Sequence, residues 1–192
     1  YTTEFGAEKL LRDALVLPIY EGTSQIQALM ATKDSLLWIL RNQGAFARAV
    51  ADARWRSTVS TDALERRVAR IRAQVLAAQR SLVTRILKGK LRATRGMGLG
   101  ARRQAFGQWD PKADFAPALL HAARLTDMLA DRDVVDALWR QAQQHDDRRE
   151  VLERYLRRAE PRCRDRLHRI QYTGDELLAE LAEPEPLAEA AK

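Results

Sequence analysis

The stretch Thr61-Asp62-Ala63-Leu64-Glu65-Arg66-Arg67-Val68-Ala69-Arg70-Ile71-Arg72-Ala73-Gln74-Val75, continued through Leu82 to Ile86, decides the fold class. Its apolar residues Leu64, Val68, Ile71, Val75, Leu82 and Ile86 follow one another at intervals of four, three, four, seven and four. Those intervals place them on one face of an α-helix. Arg66, Arg67, Arg70, Arg80 and Lys88 fall on the other side, and Ser60 or Thr61 can cap the start. Nowhere does apolar–polar alternation of the strand type persist beyond a few residues. With only nine glycines and six prolines among 192 residues, and Ala/Leu/Arg/Glu runs between them, the chain is predicted to be all-α.

Upstream, residues 7–15 read as a short helix that Pro18 prevents from continuing. Gly22 permits a turn, Thr23 or Ser24 can act as N-cap, and Ile26, Leu29, Met30, Leu37 and Leu40 form the stripe of a second helix ending near Gly44. Residues 41–58 read as a linker with a short helical piece carrying Trp55. Downstream, Gly96-Met97-Gly98-Leu99-Gly100 breaks the long helix. No strand precedes these glycines and no dinucleotide or phosphate-loop motif is completed, which argues against a nucleotide site. Asp110-Pro111 opens another helical region, with Phe115, Leu119, Leu120, Leu125, Leu129, Val134, Val135, Leu138 and Trp139 as its core and a break near Asp131 that makes a hairpin. Residues 147–172 are charged and helical in pattern, interrupted at Pro161, and Glu183-Pro184-Glu185-Pro186 leads into a frayed tail. The predicted organisation is a first helical unit (1–44), a linker (45–60), a second helical bundle (61–180) and a tail (181–192).

Thirty-three Lys and Arg against 26 Asp and Glu give a net charge of +7, unevenly spread. From Asp62 to Arg103 there are twelve basic residues and two acidic ones, a segment suited to anions. The ordinary reading of helix 62–92 is a solvated arginine-rich face; a membrane surface or a neighbouring subunit is the alternative partner. No run reaches the roughly 20 apolar residues of a membrane span. Helix-turn-helix spacing, aromatic interleaving and zinc motifs are missing, so nucleic acid is not an expected partner. His121, His145 and His168 lie far apart without a ligand pattern, so no metal is expected. Cys163, the single cysteine, excludes an internal disulfide, fits a reducing interior and reads as an inert residue on a helix.

One loop carries chemistry. In Ile19-Tyr20-Glu21-Gly22-Thr23-Ser24-Gln25-Ile26-Gln27, the apolar neighbours Ile19 and Tyr20 desolvate the Glu21 carboxylate and strengthen it as a base. Gly22 allows close approach of a ligand, and the helix beginning at Thr23 presents N–H groups and a positive dipole end to an anion. Together these suit carbon-acid chemistry on a phosphorylated ligand, against the ordinary reading of a loop glutamate as a solvated side chain.

With Glu4-Phe5-Gly6-Ala7-Glu8-Lys9-Leu10-Leu11-Arg12-Asp13-Ala14 before it, this loop closely resembles the end of the catalytic core of acyl-CoA dehydrogenases, nearly without gaps over residues 2–27. The resemblance implies FAD-dependent α,β-dehydrogenation of an acyl-CoA thioester. Glu21 would take the α-proton while the β-hydrogen leaves as hydride to flavin N5. The backbone N–H of Glu21, with a ribityl hydroxyl, would hold the thioester oxygen in an oxyanion-hole arrangement. Tyr20, Glu21 and Gly22 would line the thioester pocket, Thr23 and Gln25 would contact the FAD phosphates, and Ser24 would only cap. Arg12 and Asp13 would make a structural ion pair or helix-end contact.

On this resemblance residues 1–44 would complete the family's antiparallel four-helix-bundle domain and the enzyme would be a homodimer or homotetramer; a bacterial cytoplasmic location is expected, with peripheral membrane contact through the basic helix as an alternative. Beginning at Tyr1 inside that domain, the chain reads as a C-terminal piece that is not active alone. The helical extension is similar in architecture to that of long-chain members, with a weak motif at Ala113-Asp114-Phe115-Ala116-Pro117-Ala118. The competing expectation is a non-catalytic helical module acting through helix 62–92.

Overall fold

The computed structural model describes residues 6–16, 23–110 and 114–182, and these form an all-α helical bundle without a strand. Nine helices run in order among the described residues: α1 (Ala7–Val16), α2 (Ser24–Arg41), α3 (Gln43–Val59), α4 (Ala63–Ala93), α5 (Leu99–Gly107), α6 (Ala116–Leu119), α7 (Ala122–Ala142), α8 (Asp147–Tyr172) and α9 (Asp175–Ala182).

The 31-residue α4 is the axis of the bundle, about 46 Å long at the usual rise. Its predicted stripe is the buried face: Val68, Ile71, Val75, Leu82 and Ile86 are all at most 1% exposed. The cap is Asp62, not Ser60 or Thr61; its carboxylate accepts from the N–H groups of Leu64 (2.8 Å) and Glu65 (3.4 Å). Ser60 donates instead to the Glu65 carboxylate, at 2.5 Å.

Five helices, α2, α3, α6, α7 and α8, pack against α4. The helix α3 returns antiparallel beside it, with Arg56 reaching Glu65 at 3.0 Å. The pair α7 and α8 forms an antiparallel hairpin, whose second arm runs parallel to α4 and is tied to it by Arg149–Asp62 (2.9 Å) and Arg67–Glu160 (2.8 Å). The helix α2 lies on α7, where the hydroxyl of Thr32 donates to the Ala122 carbonyl (3.4 Å) and that of Thr126 to the Ala28 carbonyl (3.5 Å). Past α5, Lys90 anchors the next turn by pairing with Asp114 at 2.6 Å and donating to the Gln108 carbonyl at 2.8 Å.

Several boundaries differ from those predicted. Residues 45–60 are not a linker but most of the 17-residue α3, and α2 ends at Arg41, not near Gly44. Leu36 and Ile39 of α2 share one core cluster with Val68, Leu125 and Leu152, so no domain boundary separates residues 24–44 from the later helices. The region around Asp131 does not break: α7 runs through it, and the hairpin turn falls at residues 143–146. The helix α8 likewise continues through Pro161, where a missing N–H and a ring clash normally cost about 3 kcal/mol. Burial of Leu152, Leu156, Ala159, Cys163 and Ile170 along the same face outweighs that cost. A short helix, α5, begins within the glycine run, capped by Gly98 and including Gly100. Arg12 makes a structural ion pair of the expected kind, with Glu8 one turn away (3.2 Å). The expected frayed tail falls, for residues 183–192, outside the described residues.

Candidate functional site

Of the five residues predicted to form the catalytic and binding site, Tyr20, Glu21 and Gly22 lie outside the described residues. The other two lie at the start of α2. Thr23 is the N-cap, in extended backbone (φ −67°, ψ 152°), and its hydroxyl accepts from the Ile26 N–H at 3.5 Å. Ser24 is the first helical residue, and the side chains of residues 23–27 are exposed. No acidic residue occupies this first turn, so the helix end keeps its positive character. A hydroxyl at Thr23, an amide at Gln25 and a helix start without an acidic residue in its first turn offer donors of the kind that suit an anion.

Exposed apolar residues lie on α1 and along α2. On α1 Leu10 is 72% and Leu15 63% exposed, and on α2 Met30 is 56% and Trp38 53% exposed. Thr32, Leu36 and Ile39, by contrast, are buried against the bundle. The helix α2 is therefore apolar on two sides, with only one of them covered among the described residues.

A second constellation, not foreseen in the sequence, lies between α7 and α8. The Asp131 carboxylate, with a side chain 8% exposed, accepts from Arg162 (2.6 Å), from the Tyr155 hydroxyl (2.8 Å) and from Arg166 (3.1 Å). The Cys163 thiol lies 3.8 Å from it. Burial, reinforced by the neighbouring carboxylate, pushes both Tyr155 and Cys163 up to about 12. A phenol and a thiol so hard to ionise are poor bases and nucleophiles, so this cluster locks two helices together. The available signal was that Asp131 falls on the stripe of Leu125, Met128 and Val135, where an aspartate must find partners.

His121 is also held structurally. It is 1% exposed; its Nδ1 meets Arg124 Nη1 at 3.2 Å, and its Nε2 lies 3.2 Å from the Thr173 carbonyl and 3.4 Å from Arg85 Nη1. Burial, together with the charges of Arg124 and Arg85, lowers its pKa despite the contact with Thr173. Among the described residues no group of three or more His, Cys, Asp or Glu is placed to hold a metal ion, and no helix is long and apolar enough to cross a membrane.

The basic helix 62–92 divides in two. In its first half Arg67 pairs with Glu160 (2.8 Å), Arg72 pairs with Asp136 (2.7 Å), and Arg66 donates to the Ser60 carbonyl (2.6 Å). In its second half the side chains of Arg80, Lys88 and Arg92 are exposed and meet no carboxylate among the described residues. No protein-family model matches the chain, and no solved structure matches it.

Proposed function

We propose that this chain is the C-terminal part of an FAD-dependent acyl-CoA dehydrogenase, in which Glu21 removes the proton α to the thioester carbonyl. The observation that carries this reading is the run Ile19–Gln27, in which a glutamate stands two residues before a threonine that caps a helix. In the sequence that base stands two residues from the cap of a helix suited to an anion. The exposed leucines of α1 and the uncovered side of α2 support the same reading, because the remainder of a larger catalytic domain would bury them. An isolated ten-residue helix is marginal in water, so α1 gains its stability from packing of that kind.

The roles follow from the chemistry. Glu21, ionised and flanked by Ile19 and Tyr20, acts as general base toward a weakly acidic C–H. Its backbone N–H donates to the thioester oxygen as negative charge builds there, which lowers the barrier to proton loss. Gly22 leaves room for the thioester to approach the chain. Thr23 and Gln25 hold phosphate at the start of α2. The flavin, when bound, supplies the hydride acceptor that makes the proton abstraction a net oxidation.

The test uses the intact parent polypeptide, purified with its flavin and mixed anaerobically with a series of acyl-CoA thioesters. Rapid bleaching of the flavin is expected for at least one chain length. In Glu21→Gln, bleaching should slow by several orders of magnitude, on the scale of about 10²–10⁴ or more for a lost general base, with flavin content unchanged. Bleaching at the original rate in the variant would remove Glu21 from the mechanism. A polypeptide that carries no flavin would overturn the reading altogether.

A further inference from the structure

An open groove of about 640 Å³ runs along the second half of α4, between it and α3, toward the end of α8. Its walls hold five cations: Arg54 from α3, and Arg80, Arg85, Lys88 and Arg92 from α4. A single carboxylate, Asp175, joins them, and Val50 and Leu76 add apolar lining. The geometry points to a binding site here for a phosphate-bearing polyanion.

Three features carry the assignment. First, ion pairing elsewhere in this arginine-rich bundle is extensive, but the side chains of Arg54, Arg80, Lys88 and Arg92 meet no acceptor among the described residues. Four unneutralised cations around one concave surface raise the local potential, and a complementary anion relieves their repulsion. Second, the arrangement is periodic. Arg80, Thr84 and Lys88 are four residues apart, and Arg85, Lys88 and Arg92 follow at three and four, so one face of α4 presents cations over about 18 Å. That length suits a ligand with two or more separated anionic groups, and the volume lies within the range of about 300–1,000 Å³ typical of small-molecule sites.

Third, one cation is fixed in advance. Arg85 has a side chain 17% exposed and donates to the carbonyls of Gln171 (2.9 Å) and Thr173 (3.3 Å) at the end of α8, while Asp175 lies 3.6 Å away. Its guanidinium is therefore already ordered where the groove meets α8, and ordering it costs a ligand little. Ser81 adds a hydroxyl to the wall, whereas that of Thr84 is donated back to the Arg80 carbonyl at 2.8 Å. The site does not depend on the dehydrogenase reading, because every residue in it lies outside the Glu21 loop.

Phosphate of this kind comes either from a soluble phosphorylated molecule or from lipid headgroups, and the test distinguishes them. The full chain is titrated with pyrophosphate by calorimetry at about 0.15 M salt, where exposed charges more than about 8 Å apart are screened. In parallel it is sedimented with vesicles of phosphatidylcholine with and without phosphatidylglycerol. Arg80→Gln/Lys88→Gln is compared with Arg158→Gln/Arg164→Gln, which removes the same charge from the exposed side of α8. Both pairs should melt at the original temperature, since none of the four side chains has a partner among the described residues.

Saturable one-to-one binding of pyrophosphate, weakened at least about 10-fold in the groove pair alone, supports a soluble ligand. Binding only to anionic vesicles, with the same dependence on the groove pair, supports the site with a headgroup as its ligand. Absence of both kinds of binding, or equal loss in the two pairs, overturns the site.

Discussion

Replacing Asp131 with alanine removes the buried carboxylate that α7 presents to the middle of α8. Four donors then lose an acceptor: Arg162, Arg166, the Tyr155 hydroxyl and, more weakly, the Cys163 thiol. Breaking a buried ion pair by deleting one partner costs about 3–5 kcal/mol. Two features reduce that here. The side chain of Arg162 is 44% exposed and regains water, and Arg166 keeps Asp127 at 2.9 Å. A loss of about 2–3 kcal/mol follows, most of it from the buried side of the cluster at Tyr155 and Arg166. Asp131→Asn, which keeps the volume and one acceptor oxygen, should lose about half as much. Urea unfolding of the full chain, followed by helical circular dichroism, measures both; with a slope of about 2 kcal/mol per molar, the alanine variant should shift the midpoint down by about 1 M. Asp133→Asn is the control, because its exposed pair with Arg132 should contribute under about 1 kcal/mol. An Asp131→Ala midpoint no lower than that of the control would refute a structural role for the cluster.

Cys163 should resist a disulfide-type thiol reagent at pH 8 in the native chain and react fully once denatured, since it is buried and its thiol is pushed up to about 12; rapid native labelling would contradict its burial. Gly174 has φ +95°, and a Cβ there would stand 2.6 Å from Leu120 Cδ2 and 3.1 Å from His121 Nε2. Gly174→Ala should therefore lose about 2–4 kcal/mol, against about 1–2 kcal/mol for Gly96→Ala, which has the same φ but open space; equal thermal shifts would mean that the contact relaxes freely. His121 has its pKa lowered on folding, so the unfolded chain binds its proton more tightly. That contribution is complete above about pH 6.5 and is lost as pH falls through the folded value. His121→Gln should flatten the decline in stability between pH 7 and 5; an unchanged slope would assign the decline to other groups.

How much of the fold was legible in the sequence depended on the size and continuity of each apolar face. The stripe of α4 was readable because large residues mark nearly every turn of one face. The helix α3 was not, since its one fully buried residue is Ala53 while Trp55 and Val59 are exposed. A small residue buried against α4 leaves no periodic signal. Asp131 and Pro161 read as interruptions because local propensity disfavours them inside helices. Tertiary partners override that propensity at both positions, at Asp131 by hydrogen bonds from α8 and at Pro161 by the apolar face around it. The cap of α4 shifts by one residue for a similar reason: Ser60 is already engaged with Glu65, leaving the helix start to Asp62. The predicted Glu21 chemistry rests on a run of residue identities, and only its last part, Thr23 to Gln27, falls among the described residues.

The excess of positive charge likewise resolves only when partners are assigned. Composition marks the whole of helix 62–92 as one basic surface, but its first half is internal wiring: Arg67 and Arg72 are spent on Glu160 and Asp136, which fix α8 and α7 against α4. These pairs are partly buried, and neutralising them would loosen the bundle without revealing any ligand. From Arg80 onward the same helix turns equally basic residues toward a groove in which one carboxylate faces five cations. Arg85 stands at the junction, with carbonyls of α8 on one side and the groove on the other. A charge on this helix is therefore informative in proportion to what fails to neutralise it. By that measure the region for recognition is the segment between Arg80 and Arg92, together with Arg54 from α3.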